Sequence, residues 1–268
     1  MKVDFHKKVV VITGAVGGIG RQLSLRFARA GAKIVLLDVN SLQIDALKNQ
    51  IEKLNTEVLG FDCDITNEQR CIEVMRDINS HFGHIDVLIN NAGITHHSQF
   101  GETQLKVFRK VMDVNFFGTL NCTQAALSYL TESKGIIITM SSLAGFNPRP
   151  GRSGYSATKH ALHGLFETLR EEVKGQGVHI MMVCPGLTAT DINKHALQGD
   201  GVVADNGLAV SGKLISPIEL ADGVYISATR KRELLIYSNI SLWSRIFYRI
   251  FPNRHKVKMP TQYKIKAS

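Results

Sequence analysis

The chain is poor in the features that mark several classes of protein. It has only four cysteines in 268 residues, and no two of them form a C-x-x-C pair. This spacing argues against a disulfide framework or a zinc site and favours reduced thiols in a cytoplasmic protein. No apolar run approaches the roughly 20 residues that a membrane-spanning helix requires, and the N-terminal run is too short for a secretory signal. We therefore expect a cytoplasmic protein, long enough to bury the core of one large domain.

Acidic residues are almost absent from the C-terminal end of the chain. Residues 230–268 contain ten Lys or Arg and a single acid, Glu233. Because the whole chain has 32 basic and 23 acidic residues, the remaining part carries equal numbers of each and is neutral. The net charge of +9 therefore belongs to a basic tail. A neutral body argues against nucleic acid as a partner.

The basic tail also carries apolar residues at the spacing of one helix face. Aromatic residues beside cations suit a helix that lies in a membrane surface, although this one is too short to span a bilayer. Alternatively, the stripe packs on the protein's own pocket or on a second subunit. We predict a main domain at 1–238 and a basic amphipathic extension at 239–268, and we favour peripheral membrane contact through 240–266. The stripe consists of Trp243, Ile246, Phe247, Ile250 and Phe251.

A glycine-rich turn follows the first predicted strand. Residues 8–13 form a short valine-rich run that predicts a buried strand, and a helical pattern begins after Gly20. Between them lie Gly14, which directly follows Thr13, and Gly17 and Gly18. A strand, a glycine turn and a helix in this order direct backbone N–H groups and a helix N-terminus toward a phosphate. The stretch therefore predicts a dinucleotide-binding site.

An aspartate ends the second predicted strand, at residues 33–37. Asp38 lies about 20 residues after the glycine turn, where a carboxylate can accept hydrogen bonds from an adenosine ribose. The same carboxylate would repel a 2′-phosphate, and Gly17 and Val39 supply no cation for one. The sequence therefore favours NAD over NADP. The alternative is that Asp38 only caps the helix predicted at 42–54.

Strand and helix patterns alternate along the rest of the chain. Such alternation is typical of parallel strands joined by right-handed crossovers. We predict an α/β fold: a single Rossmann-type, doubly wound parallel sheet with helices on both faces. Further strands are predicted at 57–61, 86–89, 135–140, 178–184 and 234–237, and further helices at 67–82, 105–112, 116–130 and from about 155 to 174.

A tyrosine and a lysine lie four residues apart in the helix predicted from about residue 155. Tyr155 and Lys159 would share one helix face and point at one small volume. A phenol has a pKa of about 10, and a fixed cation beside it would lower that pKa and make a usable general acid/base. The alternative is a packed tyrosine with a solvated lysine, because the spacing is common by chance.

Seven motifs occur in order along the chain, and together they resemble the short-chain dehydrogenase/reductase family. The resemblance covers about residues 8–237 and would make the main domain a Rossmann-fold catalytic domain. It is closest to branches that act on steroids, retinoids or other lipophilic carbonyl compounds. The motifs are Thr13-Gly14 with Gly18-Ile19-Gly20, Asp64-Ile65, Asn90-Asn91-Ala92-Gly93, Asn115, Ser141-Ser142, Tyr155 with Lys159, and Pro185-Gly186.

The resemblance implies four catalytic residues. Tyr155 would exchange a proton with the substrate oxygen, and Lys159 would lower its pKa and hold the nicotinamide ribose. Ser142 would hydrogen-bond the substrate oxygen, because the family usually places this serine thirteen residues before the tyrosine. Asn115 would hold a water in a proton relay to Lys159; the alternative is a polar residue that kinks its helix, and the two roles are compatible.

The resemblance also assigns the cofactor to residues at the carboxyl ends of the strands. The glycine turn would line the pyrophosphate, Asp38 the adenosine ribose, and Asp64 and Ile65 the adenine. Thr188 stands where the family has an apolar residue, so its contact would be through the backbone. The implied cofactor-binding residues are Gly14, Gly18, Ile19, Gly20, Asp38, Asp64, Ile65, Asn91, Ala92, Gly93, Tyr155, Lys159, Pro185, Gly186, Thr188 and Thr190.

The implied reaction is hydride transfer between NAD and a lipophilic secondary alcohol or its ketone, in a homodimer or homotetramer. One alternative is a 3-oxoacyl or other small-carbonyl reductase that uses NADPH. Another is an inactive nucleotide-binding scaffold, which the four intact catalytic positions disfavour. We expect the substrate to be selected by residues 146–152 and by a glycine-rich, lid-like loop at 191–216. No metal site is predicted, and His96, His97 and His195 are interpreted as solvated or pocket-wall side chains.

Overall fold

The computed structural model of the chain describes residues 2–147, 149–203 and 214–238. The predicted extension at 239–268 lies outside the described residues, as do residues 204–213 of the predicted lid. Membrane contact through residues 240–266 therefore stays a prediction. Within the described ranges, no helix is both long and apolar enough to cross a membrane.

Seven parallel strands form one sheet in the order β3-β2-β1-β4-β5-β6-β7. Strand β1 is central, and Val11 pairs with Val35 of β2 on one side and with Leu88 of β4 on the other. This arrangement confirms the doubly wound sheet predicted from the sequence. The strands are β1 Val9–Thr13, β2 Lys33–Asp38, β3 Val58–Asp62, β4 Val87–Asn90, β5 Ile136–Met140, β6 His179–Pro185 and β7 Leu234–Tyr237.

Strands β1, β4 and β5 are buried along their whole length because both faces of the sheet are covered. Side chains of β1 alternate between two cores: Val10 belongs to one core with Phe27, and Val11 belongs to the other with Phe166. Each fully buried side chain of this kind contributes about 1.5–3 kcal/mol of transfer free energy. The first core also contains residues of α1 Gly18–Ala28, α2 Ser41–Glu52 and α7 Pro217–Thr229, and the second residues of α3 Glu68–Phe82, α5 Gly118–Ser133 and α6 Ser153–Val173.

Helix α7 was not predicted from the sequence, although its start carries a recognisable signal. Ser216 accepts a hydrogen bond from the N–H of Ile218, and Pro217 occupies the first helical position. A serine cap followed by proline is favoured at helix starts because neither residue sacrifices an intrahelical bond. Helix α7 packs against α1, which carries the glycine turn.

A π-helical segment joins two helices that the sequence predicted separately. Helix α4 spans Leu105–Met112, the π segment spans Asp113–Phe117, and α5 follows directly. Such bulges occur frequently at functional sites because they displace one residue from regular helical register. Here the displaced turn contains Asn115, as the kinked-helix interpretation of that residue predicted.

Candidate active site

The glycine turn lets three backbone segments approach one another closely. Gly14 has a φ of 61°, and a Cβ atom there would lie 2.7 Å from the Cα of Ala92. A Cβ atom on Gly20 would meet the carbonyl oxygen of Gly14. Helix α1 begins at Gly18, so its first N–H groups face the crevice where the strand order reverses, between β1 and β4.

Two polar residues hold this turn in place. The hydroxyl of Thr13 accepts hydrogen bonds from the backbone N–H groups of Asn91, at 3.0 Å, and Ala92, at 3.1 Å. The side-chain amide of Asn91 donates to the carbonyl oxygens of Thr13, at 3.0 Å, and Gly14, at 2.9 Å. Asn91 therefore braces the sheet, as expected. The role of the Thr13 hydroxyl was missed, although threonine belongs to the motif.

Asp38 is fixed at the carboxyl end of β2, beside the glycine turn. One carboxylate oxygen accepts from the N–H groups of Val39 and Asn40, at 2.9 and 3.2 Å. The other accepts from the N–H of Val16 within the turn, at 3.2 Å. The cap of α2 is Asn40, whose side chain accepts from Gln43. Asp38 is therefore not the helix cap that the alternative interpretation proposed.

The residues expected to contact adenine lie after β3. Asp64 is exposed and accepts hydrogen bonds from the N–H and hydroxyl of Thr66, at 2.9 and 2.8 Å. Ile65 is buried, and a Cβ atom on Gly118 would lie 2.6 Å from its Cδ1. The side chain of Ile65 therefore belongs to the core, whereas the carboxylate of Asp64 faces solvent.

A cavity at the carboxyl ends of β5 and β6 brings together the tyrosine, lysine and serine that were predicted to be catalytic with residues from other segments. Ser142 caps a short turn after β5, and Tyr155 and Lys159 lie on α6. The predicted residues that line the cavity are Ile19, Asn91, Gly93, Ser142, Tyr155, Lys159, Pro185, Gly186, Thr188 and Thr190. The other predicted site residues, including Asn115, are not part of this lining.

Lys159 lies at the base of the cavity. Its ammonium donates a hydrogen bond to the carbonyl oxygen of Met140, at 2.8 Å, and lies 5.6 Å from the ring centroid of Tyr155. A Cβ atom on Gly93 would lie 3.8 Å from the same ammonium, so the loop after β4 also approaches it. Burial lowers the pKa of Lys159 to about 8, so the side chain is mainly charged at neutral pH.

The pKa of Tyr155 differs from the expectation. Burial raises it above its ordinary value, against the opposing effects of a hydrogen bond with Ser142 and of the charges on Arg152 and Arg149. Lys159 is not among the groups that lower it, and its ammonium is bonded to a backbone carbonyl. The pKa of Tyr155 in the protein alone is therefore raised rather than lowered, because desolvation of a phenolate outweighs the nearby cations, and a lowering effect of Lys159 stays a prediction.

Asn115 is buried, and its side chain forms hydrogen bonds with other residues of the protein. Its oxygen accepts from the N–H of Ile94 at 2.8 Å, and its nitrogen donates to the carbonyl of Ile94 at 2.9 Å and to the hydroxyl of Thr158 at 3.1 Å. The amide therefore ties the loop after β4 to α6. A water relay from Asn115 to Lys159 stays a prediction.

His96 is a buried helix cap rather than a solvated or pocket-wall residue. Its Nε2 accepts from the N–H of Gly154, in the first turn of α6, at 2.9 Å, and its Nδ1 lies 3.3 Å from the hydroxyl of Ser98. Burial lowers its pKa to about 4, so the ring is neutral, as an acceptor must be. His96 therefore satisfies one of the N–H groups that a helix start leaves unpaired. In the described part of the chain, no three His, Cys, Asp or Glu side chains come together as a metal site would require.

Three polar residues of the cavity wall were not named individually by the sequence analysis, although all three lie in the segments expected to select the substrate. Arg149 and Arg152 precede α6, and Asn193 lies in a short turn after β6. The two arginines fall within the segment 146–152 that was expected to select the substrate. Their position beside the motif tyrosine was the available signal, but their side-chain directions depend on how the chain folds.

Comparisons with known proteins agree with this geometry. The short chain dehydrogenase family profile matches residues 8–201. Dehydrogenase/reductase SDR family member 7B of Danio rerio is 30% identical over 273 residues, covering 94% of this chain and 86% of that protein. 11-beta-hydroxysteroid dehydrogenase 1A of Arabidopsis thaliana is 36% identical over 193 residues, covering 71% of this chain and 55% of that protein.

A solved structure shows the same fold. The crystal structure of a short chain dehydrogenase/reductase from Burkholderia phymatum in complex with NAD superposes with a TM-score of 0.78 at 24% identity. It covers 87% of this chain and 90% of the other. The structure shows the shared fold, and the family profile and the relatives show the family. The chain belongs to the short-chain dehydrogenase/reductase family and is an NAD(P)-dependent oxidoreductase.

Proposed function

We propose that the protein transfers a hydride between NAD and a lipophilic secondary alcohol or its ketone, with Tyr155 as the general acid/base. The observation that carries this proposal is that one cavity is lined by Tyr155, Ser142 and Lys159 together with Pro185 and Gly186. A proton donor, a hydrogen-bonding hydroxyl and a cation thus converge where the family places the nicotinamide. This combination supports acid/base chemistry better than a passive nucleotide-binding scaffold.

The crevice fits a dinucleotide. Gly14 and Gly20 lie where any Cβ atom would collide with backbone, so the turn is shaped for close approach. Asp38 presents a carboxylate beside that turn, and Val39, which follows it, is 65% exposed and uncharged. A carboxylate attracts ribose hydroxyls and repels a 2′-phosphate, so this end of the crevice supports NAD over NADP.

The residues around the phenol would have different roles in the proton transfer. When bound, the nicotinamide accepts or supplies the hydride at its C4. Tyr155, with its raised pKa, holds its proton at neutral pH and is ready to donate it to a carbonyl oxygen. Ser142 lines the same cavity as that phenol and would orient the substrate oxygen. For alcohol oxidation the phenolate is needed, and the positive charges of Arg152 and Arg149, which lower the pKa of Tyr155, favour it.

The cavity wall supports a substrate with an apolar part. Leu143, Leu187 and Ile192 line it alongside the catalytic residues. The Arabidopsis relative is named for a hydroxysteroid, a lipophilic secondary alcohol. Both points favour this substrate class over a small polar carbonyl compound.

The test is Tyr155→Phe, which removes the hydroxyl and keeps the ring. Loss of a positioned acid/base should lower the rate of NADH-dependent ketone reduction by about a hundredfold to ten-thousandfold. NADH binding, followed by its fluorescence, should be nearly unchanged. Tyr225→Phe is the matched control, because Tyr225 packs against Phe5 and Phe27 away from the cavity. Near-normal turnover by Tyr155→Phe would reject the assignment.

The predicted extension is proposed to hold the enzyme at a membrane surface. Its basic and aromatic residues would favour anionic lipid. Flotation with anionic and with neutral liposomes tests this, with the full chain compared to one that ends at Asn239. Equal flotation of the two chains would assign the extension to packing instead. Cytoplasmic location and a homodimer or homotetramer likewise stay predictions.

A further inference from the structure

A second buried histidine lies on α6, one helical turn after Lys159. His163 is 7% exposed and shares a helix face with that lysine. This face holds two successive residues at the end of β5. The ammonium of Lys159 donates to the carbonyl oxygen of Met140 at 2.8 Å, and the Nε2 of His163 lies 3.0 Å from the hydroxyl of Ser141. The residue that follows is Ser142, which begins a short turn at 142–145, called here the Ser142 turn.

The Ser142 turn makes room for the histidine ring. A Cβ atom on Gly145 would lie 2.9 Å from the Cδ2 of His163 and 2.8 Å from the Oγ of Ser141. The next residue, Phe146, packs on the imidazole with 4.1 Å between the ring centroids. A glycine at position 145 therefore brings the turn into direct contact with the histidine.

Two further contacts of His163 reach other parts of the fold. Its Nε2 lies 3.7 Å from the Sγ of Cys184, at the end of β6 and directly before the cavity residue Pro185. Its Nδ1 lies 3.4 Å from a carboxylate oxygen of Glu167, whose side chain is 58% exposed. One buried ring thus contacts the ends of both strands that carry the cavity, and Glu167 orients it from the solvent side of α6.

We propose that His163 is a positioning residue, which fixes the Ser142 turn against Tyr155. This inference rests on the proposed function, in which Ser142 orients the substrate oxygen. Tyr155 and Ser142 belong to different elements, so their separation depends on how α6 packs on the turn. A group misplaced by about 1 Å can lower a reaction rate by about a hundredfold. His163 is not among the described residues that line the cavity, so it acts through Ser142 and not on the substrate.

The first experiment measures the NADH-dependent reduction of a ketosteroid and of a long-chain aliphatic ketone. His163→Leu removes both ring nitrogens, and we expect kcat to fall by about tenfold to a hundredfold while the KM for NADH changes by less than about twofold. His163→Gln should recover most of the rate, because its amide can donate or accept a hydrogen bond where Nε2 lies. His160→Leu, at an exposed position of the same helix, is the matched control and should leave kcat unchanged.

A double-mutant cycle tests whether His163 acts through Ser142. In the Ser142→Ala background, His163→Leu should lower kcat by less than about twofold, because a hydroxyl that is absent cannot be misplaced. Ser141→Ala removes the hydroxyl that contacts the ring, so it should behave like His163→Leu in both backgrounds. A fall in kcat as large as in the wild-type background would overturn the inference.

The second experiment needs no turnover and follows hydrogen exchange by mass spectrometry in a peptide that covers 141–147. The N–H groups of Ala144 and Gly145 bond to the Oγ and the carbonyl oxygen of Ser142, at 3.1 and 3.0 Å. Their exchange therefore reports on the Ser142 turn. It should be about tenfold faster in His163→Leu than in the wild type, as expected where local contacts are lost, and unchanged in His160→Leu.

The outcomes separate this inference from the proposed function. If the wild type reduces no ketone, the function is rejected, and the exchange rates alone support or overturn the positioning role. Unchanged exchange, or faster exchange without a fall in kcat, overturns the inference and leaves the function intact. Where Ser142→Ala is too slow to assay, the exchange rates decide. Where melting shows that His163→Leu is unfolded, Ser141→Ala decides instead, because it removes the same contact by deleting one oxygen atom.

Discussion

The buried histidine at the start of the helix that carries Tyr155 should make the protein sensitive to acid. His96 accepts a hydrogen bond from Gly154 through an unprotonated ring nitrogen, and burial lowers its pKa from 6.5 to about 4. Protonation removes that acceptor and leaves a charged ring in the core. Because the folded pKa lies below the unfolded one, the stabilisation is fully present above about pH 6.5 and disappears as the pH falls toward about 4.

The size of the effect follows from the two pKa values. A shift from 6.5 to about 4 corresponds to about 3 kcal/mol between the two ends of the titration. Between about pH 7.5 and about pH 5 the protein should lose about 2 kcal/mol of its free energy of unfolding through this one residue. His97 and His179 also have lowered pKa values and add to the loss in the same direction.

The assay is urea unfolding at those two pH values at constant ionic strength. His96→Gln keeps an amide oxygen that can accept from Gly154 and does not titrate. Its loss of stability on acidification should therefore be about 2 kcal/mol smaller than that of the wild type. His195→Gln, at an exposed position, serves as the control and should behave like the wild type. Equal losses in the wild type and in His96→Gln would refute the reasoning.

Two further substitutions test the cofactor crevice. Asp38→Ala combined with Val39→Arg should shift kcat/KM from NAD toward NADP by about tenfold or more, because it removes a like charge and adds a phosphate partner; a wild type that already prefers NADP would contradict the argument from Asp38. Thr13→Val should cost about 2 kcal/mol in urea unfolding and weaken NADH binding, because the N–H groups of Asn91 and Ala92 lose their acceptor. Thr13→Ser, which keeps the hydroxyl, should restore most of the stability and most of the NADH affinity. If Thr13→Val loses no stability, water replaces the hydroxyl and the argument fails.

The sheet could be predicted because buried parallel strands read as continuous apolar runs. Strand β5, for example, was expected at 135–140 and spans Ile136–Met140. Helix α7 could not be predicted, since Gly223 interrupts its helical pattern and glycine disfavours a helix. In the fold that glycine has a packing function: a Cβ atom there would lie 2.7 Å from the ring of Tyr237. Whether a glycine breaks a helix or admits a neighbour depends on contacts that the local sequence does not contain.

In the candidate site too, the features set by neighbouring residues could be predicted, and those set by distant residues could not. The glycine turn and Asp38 were predictable because their geometry is set within a few residues of β1 and β2. The cap that His96 provides joins residues 58 positions apart, so no local pattern indicates it. The pKa of Tyr155 was mispredicted for a related reason, because spacing indicates which cation is near but not how deeply the phenol is buried.

The brace between Thr13 and Asn91 also has a consequence for synthesis of the chain. The two residues are separated by 78 positions, and the glycine turn next to them is made early in translation. The turn cannot hold its nucleotide-binding shape until β4 has emerged and docked beside β1. Thr190, which packs on Gly18, must be synthesised later still before the turn is complete. Such distant contacts form late, after the entropy of closing a long loop has been overcome. The cofactor can therefore stabilise the finished domain by mass action, but it cannot guide the nascent chain through its first hundred residues.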